Sequence, residues 1–171
     1  GNLIDQPRGV DIVGACPAGG GKATLLRRGA VQDILVVGSN EVGSFFMRWP
    51  EKTRFINPSF FSHPFGQPDL NSVTPDSSLA LFCGEEHPGG KTYASYLKVV
   101  LDEYQIPVMA PARIAKVALL ISGNFILTIE AGEKLETRSL IWATGEFQFP
   151  HRKILPGADL CCLYGDVSSW T

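Results

Sequence analysis

Residues 14–19, Gly14-Ala15-Cys16-Pro17-Ala18-Gly19, have the types and spacing that suit binding chemistry. A short apolar run, Val10-Asp11-Ile12-Val13, precedes them, and a helix-like stretch, Lys22 to Arg28, follows. Strand, tight glycine turn and helix start together form the opening of a nucleotide-binding βαβ unit. Glycine lets the chain bend sharply, and a small residue lets the backbone approach a pyrophosphate. The helix start then offers unpaired N–H groups and a positive dipole end to the phosphates. In the spacing G-x-G-x-x-G the middle position is Cys16, so the point of closest approach carries a side chain. A plain glycine-rich turn is the competing reading.

The other chemistry-bearing residues form no such pattern. Cys16, Cys83, Cys161 and Cys162 match neither a zinc ribbon nor C-x-x-C, and adjacent cysteines rarely pair with each other. Free thiols in a cytoplasmic protein are the expectation. His63, His87 and His151 lie far apart without metal-ligand spacing, so no metal site is expected. No general acid or base stands out, and no catalytic residue is assigned. Asp11 is an oddity inside a short apolar strand, because burying a carboxylate is costly.

These residues sit in a chain of 171 residues, 44% hydrophobic and 19% charged, with formal net charge −2. That suits one globular domain with a buried core. Near-neutral charge without a basic block argues against nucleic acid as the main partner. The longest apolar runs, such as Val117 to Ile121, are strand-length and too short to span a bilayer, so no membrane partner is expected.

The elements that must hold the turn follow from periodicity. Ile34-Leu35-Val36-Val37 reads as a buried parallel strand and completes a β-α-β unit. From Gly38 to about Gly90 the sequence is irregular, with Pro50, Pro58, Pro64, Pro68, Pro75 and Pro88 barring long helices. A loop of that length is expected to bind something or to pack around a ligand. Thr92 to Tyr104 regains helical period, with Tyr93, Tyr96, Leu97, Val100, Leu101 and Tyr104 on one face. Ile106 to Met109 reads as a third strand. Three β segments follow, Ala115 to Ile121, Phe125 to Ala131 and Lys134 to Thr137, joined by hairpin turns at Ser122-Gly123-Asn124 and Gly132-Glu133. Leu140-Ile141-Trp142-Ala143 is a last buried strand, ending at Thr144-Gly145. The order predicts an α/β fold, a parallel sheet carrying a small antiparallel appendage.

Several segments together resemble a known family. They are the turn Gly14 to Gly19, the run Glu41 to Pro50 after the second strand, and Arg54 to Phe60. To these are added the strand end Ile141-Trp142-Ala143-Thr144-Gly145 and the stretch Glu146 to Pro150. From about Val10 to Trp170 the chain looks like the N-terminal FAD-binding part of an FAD/NAD(P)-dependent flavoprotein oxidoreductase, flavin monooxygenase-like or pyridine nucleotide-disulfide oxidoreductase-like. The resemblance implies a Rossmann-like FAD/NAD(P)-binding parallel sheet with a three-stranded antiparallel β-meander. It also implies FAD as cofactor, with Gly14, Ala15, Cys16, Pro17, Ala18, Gly19, Gly38, Ser39, Asn40, Glu41, Arg48, Trp49, Asn57, Ser59, Ile114, Ala143, Thr144 and Gly145 as cofactor-binding positions. In such proteins NADPH or NADH reduces the flavin from a second glycine-rich domain. The absence of a C-x-x-C redox pair favours monooxygenase-like over disulfide-reductase chemistry.

Two positions depart from the family pattern. Cys16 replaces the glycine that admits the diphosphate, and a Cβ there is expected to crowd the approach. The acid that holds the ribose hydroxyls falls on Gly38, leaving Asn40 or Glu41 to stand in from the following turn. The chain is therefore expected to be a single, partial FAD-binding domain, cytoplasmic, lacking the second NAD(P)H-binding domain. Its expected partners are the dinucleotide and either that missing domain or a second copy of the chain. The alternative is a non-catalytic or degenerate dinucleotide-binding domain that needs a partner for activity.

Overall fold

The computed structural model describes residues 6–60, 69–146, 155–162 and 166–167. Their contacts divide the chain into a first unit, Gly1–Val42 with Leu97–Thr144, and a second, Gly43–Tyr96 with Gly145–Thr171. In the first unit the strands are β1 (Arg8–Val13), β2 (Ile34–Val37), β3 (Val108–Met109), β4 (Ile114–Leu119), β5 (Phe125–Ile129) and β6 (Lys134–Trp142). They form one sheet of order β3-β2-β1-β6-β5-β4. β1 runs parallel to β2 and β6, and β2 runs parallel to β3. β5 is antiparallel to β4 and β6, with a bulge in β4 between Ile114 and Lys116. The Rossmann-like α/β class expected from the sequence is the class found.

The division of the last strands is corrected. The segments read as separate strands, Lys134 to Thr137 and Leu140 to Ala143, are a single nine-residue strand, β6. Its start pairs with β5, while Thr137 to Trp142 pair with Arg8 to Val13 of β1. Arg138 and Ser139 between them are exposed polar residues on an unbroken strand. The meander is therefore continuous with the parallel sheet rather than an appendage. Val13, Leu35, Val37, Ala112, Leu127, Ile129 and Leu135 form a buried cluster that joins both halves.

α1 (Pro17–Arg28) starts five residues before the predicted Lys22. Pro17 stands in the first turn, where its missing N–H costs nothing. Arg27 and Arg28 lie in the last turn, where cations suit the negative dipole end. The buried face is Gly19, Gly20, Ala23 and Thr24, small residues that let the helix lie close to its neighbours.

The stretch expected to be irregular carries two short helices in the second unit, α2 (Ser44–Met47) and α3 (Leu79–Cys83). The Ser78 hydroxyl caps α3 by accepting from the Leu81 N–H. α4 (Gly90–Glu103) begins in this unit, and its Tyr93 joins Phe46, Trp49 and Phe55 in a ring cluster with centroids 4.7–6.0 Å apart. Among the described residues no helix is long and apolar enough to cross a membrane.

Candidate functional site

β1 delivers the chain to Gly14 with φ +128°, a conformation that side-chain-bearing residues rarely adopt. A Cβ on Gly14 would overlap the carbonyl oxygen of Ala143, at the end of β6. A Cβ on Gly19 would overlap the carbonyl oxygen of Gly14, and it would sit 3.5 Å from a methyl of Ile12. The first glycine thus makes the turn, and the third lets α1 pack against the strand. Both are roles that a dinucleotide turn requires. Gly14 N–H donates to Val37 O at 2.8 Å, which ties the turn to β2. The amides of Ala15, Cys16, Ala18 and Gly19 find no hydrogen-bond partner among the described residues. They lie at the positive end of α1, where an anion is favoured.

Gly38, Ser39, Asn40 and Glu41 follow β2 directly. The Gly38 N–H donates to Met109 O at 2.9 Å, and its carbonyl accepts from Ala112 N–H at 2.6 Å. A Cβ at this position would come within 2.7 Å of both the Ala15 Cβ and the Asn40 carbonyl oxygen. No side chain, acidic or otherwise, fits at 38 without displacing backbone. Ser39, Asn40 and Glu41 are exposed, and the Asn40 side-chain amide donates to the Ser39 hydroxyl at 3.2 Å.

Residues 14–19, 38–41 and 143–144 therefore gather around the carboxyl ends of β1, β2 and β6. Ile114 differs: it is half-buried and packs against the core cluster that contains Val13 and Val37. The remaining expected positions belong to the second unit. Arg48 is exposed at the end of α2, and Trp49 sits in the ring cluster. The Asn57 carbonyl and the buried Ser59 hydroxyl each accept from the Asn71 side-chain amide at 2.8 Å. Gly145 is exposed with φ +79°. Local pattern did not single out Asn71, whose amide fastens this loop. Nor did it assign the Tyr96 hydroxyl, which accepts from Val73 N–H and is hydrogen-bonded to Ser77.

A cleft of about 210 Å³ in the second unit lies beside Trp49, Arg54 and the start of α4. It is lined by both Arg54 and Lys91 and by Glu51 and Glu85, so it presents no single sign of charge. Glu146 is the last described residue of its stretch; Phe147 to Pro150, with His63 and His151, lie outside the described residues. No cluster of metal-ligating side chains occurs among the described residues.

Asp11 is fully buried in β1. Arg8 Nε donates to one carboxylate oxygen at 3.0 Å, while the other oxygen has no partner. Burial lifts its pKa from 3.8 to about 6, against the pull of the Arg8 charge and hydrogen bond.

The profile of the family described as pyridine nucleotide-disulphide oxidoreductase matches residues 12–171. Among solved structures, the bacillithiol disulfide reductase of Staphylococcus aureus is similar at 23% identity with a TM-score of 0.68. The match covers 91% of this chain and 43% of that one. A variant flavin monooxygenase from Stenotrophomonas maltophilia is similar at 18% identity, TM-score 0.68, covering 88% of this chain and 43% of that one. OTEMO in complex with FAD and NADP matches at 16% identity, TM-score 0.62, over 87% of this chain and 28% of its own. The chain spans less than half the length of each of these structures.

Proposed function

The chain belongs to the pyridine nucleotide-disulphide oxidoreductase family, and from that premise we propose that it is the FAD-binding portion of an NAD(P)H-dependent flavoprotein oxidoreductase, monooxygenase-like in its chemistry. The observation that carries the reading is the Gly14–Gly19 turn. It sets the unpartnered amides of Ala15, Cys16, Ala18 and Gly19 beside the carboxyl ends of β1, β2 and β6. Gly14 and Gly19 are the residues the cradle needs, since a Cβ on either would overlap backbone. The residues present fit a dinucleotide diphosphate.

In this reading the amides hold the diphosphate, and Ser39 or Asn40 supplies neutral hydrogen bonds to the ribose. Bound FAD would supply the electron relay between a nicotinamide nucleotide and its acceptor. The protein's part is to hold and orient it. The lack of room for an acid at Gly38 favours one other reading, a dinucleotide-binding domain that needs a partner for activity.

Titration of FAD and of NAD into the purified chain, followed by flavin fluorescence and calorimetry, tests the proposal. The expected result is saturable binding of FAD, with FAD released on denaturation. Tight NAD binding without flavin rejects FAD as the cofactor, and binding of neither favours the partner-dependent reading.

A further inference from the structure

Cys16 stands at the N-cap position of α1 in extended conformation, φ −128° and ψ 177°, which any residue adopts. Its thiol donates to the carbonyl oxygen of Ala143, with Sγ and O 3.0 Å apart. The Ala143 N–H donates in turn to Val13 O at 2.8 Å. Ala143 is thus tied through both of its backbone groups, one to β1 and one to the turn. The thiol makes no hydrogen bond to the helix amides. The side chain is committed to the strand end, and the first-turn N–H groups remain unpartnered.

We infer that Cys16 is a positioning residue of the dinucleotide site. Its thiol fastens the end of β6 to the turn and leaves the α1 amides to the diphosphate. The inference rests on the proposed function, and it reverses the expectation that a Cβ at 16 obstructs the cradle. A glycine here would lose the tie to the Ala143 carbonyl.

The test compares the parent chain with Cys16→Ser, Cys16→Ala and Cys16→Gly. Serine keeps a donor and is expected to bind FAD within about twofold of the parent, whereas alanine and glycine bind about three- to tenfold more weakly, the size of one neutral hydrogen bond. Tighter binding by the glycine or alanine variant overturns the inference, as does equal binding by all of them. A second readout needs no flavin: the infrared S–H stretch of Cys16, taken as parent minus Cys16→Ser. A band displaced to lower frequency is expected for a thiol donating to a carbonyl, and a band at the free-thiol frequency overturns the inference. If neither the parent nor any variant binds FAD, the functional reading falls, and the S–H band alone then decides whether the thiol fastens β6.

Discussion

The backbone of Gly38 is gripped from both sides, by Met109 O and by the Ala112 N–H. A glutamate there must push aside Ala15 or the Asn40 carbonyl, so Gly38→Glu is expected to cost more than about 1 kcal/mol of stability and to weaken FAD binding. Asn40 is exposed, and Asn40→Asp adds a carboxylate without a clash. That variant is expected to bind FAD roughly three- to tenfold more tightly through a charge-assisted hydrogen bond to the ribose. Urea melts and FAD titrations of both variants check the pair; tighter binding by Gly38→Glu would contradict the geometry. Asp11 makes a separate prediction. Its carboxyl titrates at about 6 when folded and near 3.8 when unfolded, so the folded chain holds the proton more tightly. The resulting stabilisation is fully present below the unfolded value and is lost as pH rises through the folded one. Its size is at most about 3 kcal/mol. The parent should therefore gain stability relative to Asp11→Asn as pH falls from neutral toward about 4. Urea midpoints of the two proteins across that range measure the gap, and a gap independent of pH would show that Arg8 offsets the burial.

β6 is the element that unites the sheet, since it completes the meander and also flanks β1. Leu127 of β5 is fully buried in the cluster that holds Val13, Val37 and Leu135. Leu127→Ala is expected to cost about 2–4 kcal/mol. Hydrogen exchange should then show lost protection in β5 and in Val10 to Val13 together; loss confined to β4 and β5 would mark the meander as a separate unit. The sequence conveyed the strands well because their apolar runs and hairpin turns are local signals. It misplaced the junction in β6 because exposed Arg138 and Ser139 look like a break when the neighbouring strand is unseen. The start of α1 was hidden for a related reason: Gly19, Gly20 and Gly21 are poor helix formers, whereas in the folded chain Gly19 lies so close to the Gly14 carbonyl oxygen that no Cβ would fit. In the candidate site, Gly14 and Gly19 were legible because their spacing encodes a steric demand. The direction of the Cys16 thiol and the clash of a side chain at 38 with Ala15 were not, because each depends on a residue distant in sequence, Ala143 in the first case and Ala15 in the second.

For the molecule as a whole, the proposed function implies a division of labour. Hydride transfer needs a nicotinamide ring held about 3–3.5 Å from the flavin in near-attack geometry. Among the described residues, β1–α1 is the one strand–glycine–helix unit of the dinucleotide type. The 171-residue chain with added FAD is therefore expected to oxidise NADPH no faster than free flavin does. Absorbance at the NADPH band checks this, and steady loss well above the flavin background would show a nicotinamide site in this chain. One of the two outer strands of the sheet bears on the molecule's behaviour in another way. β4 ends the strand order, with Leu119 exposed on it and Ile121 just beyond. A straight apolar edge of that kind would invite strands from other copies and lead to aggregation as concentration rises. The irregularity between Ile114 and Lys116 interrupts the row of donors and acceptors, and the exposed Lys116 adds a charge that an incoming strand would have to desolvate. A local kink and one lysine thus weigh against the pairing of this edge with a strand from another copy.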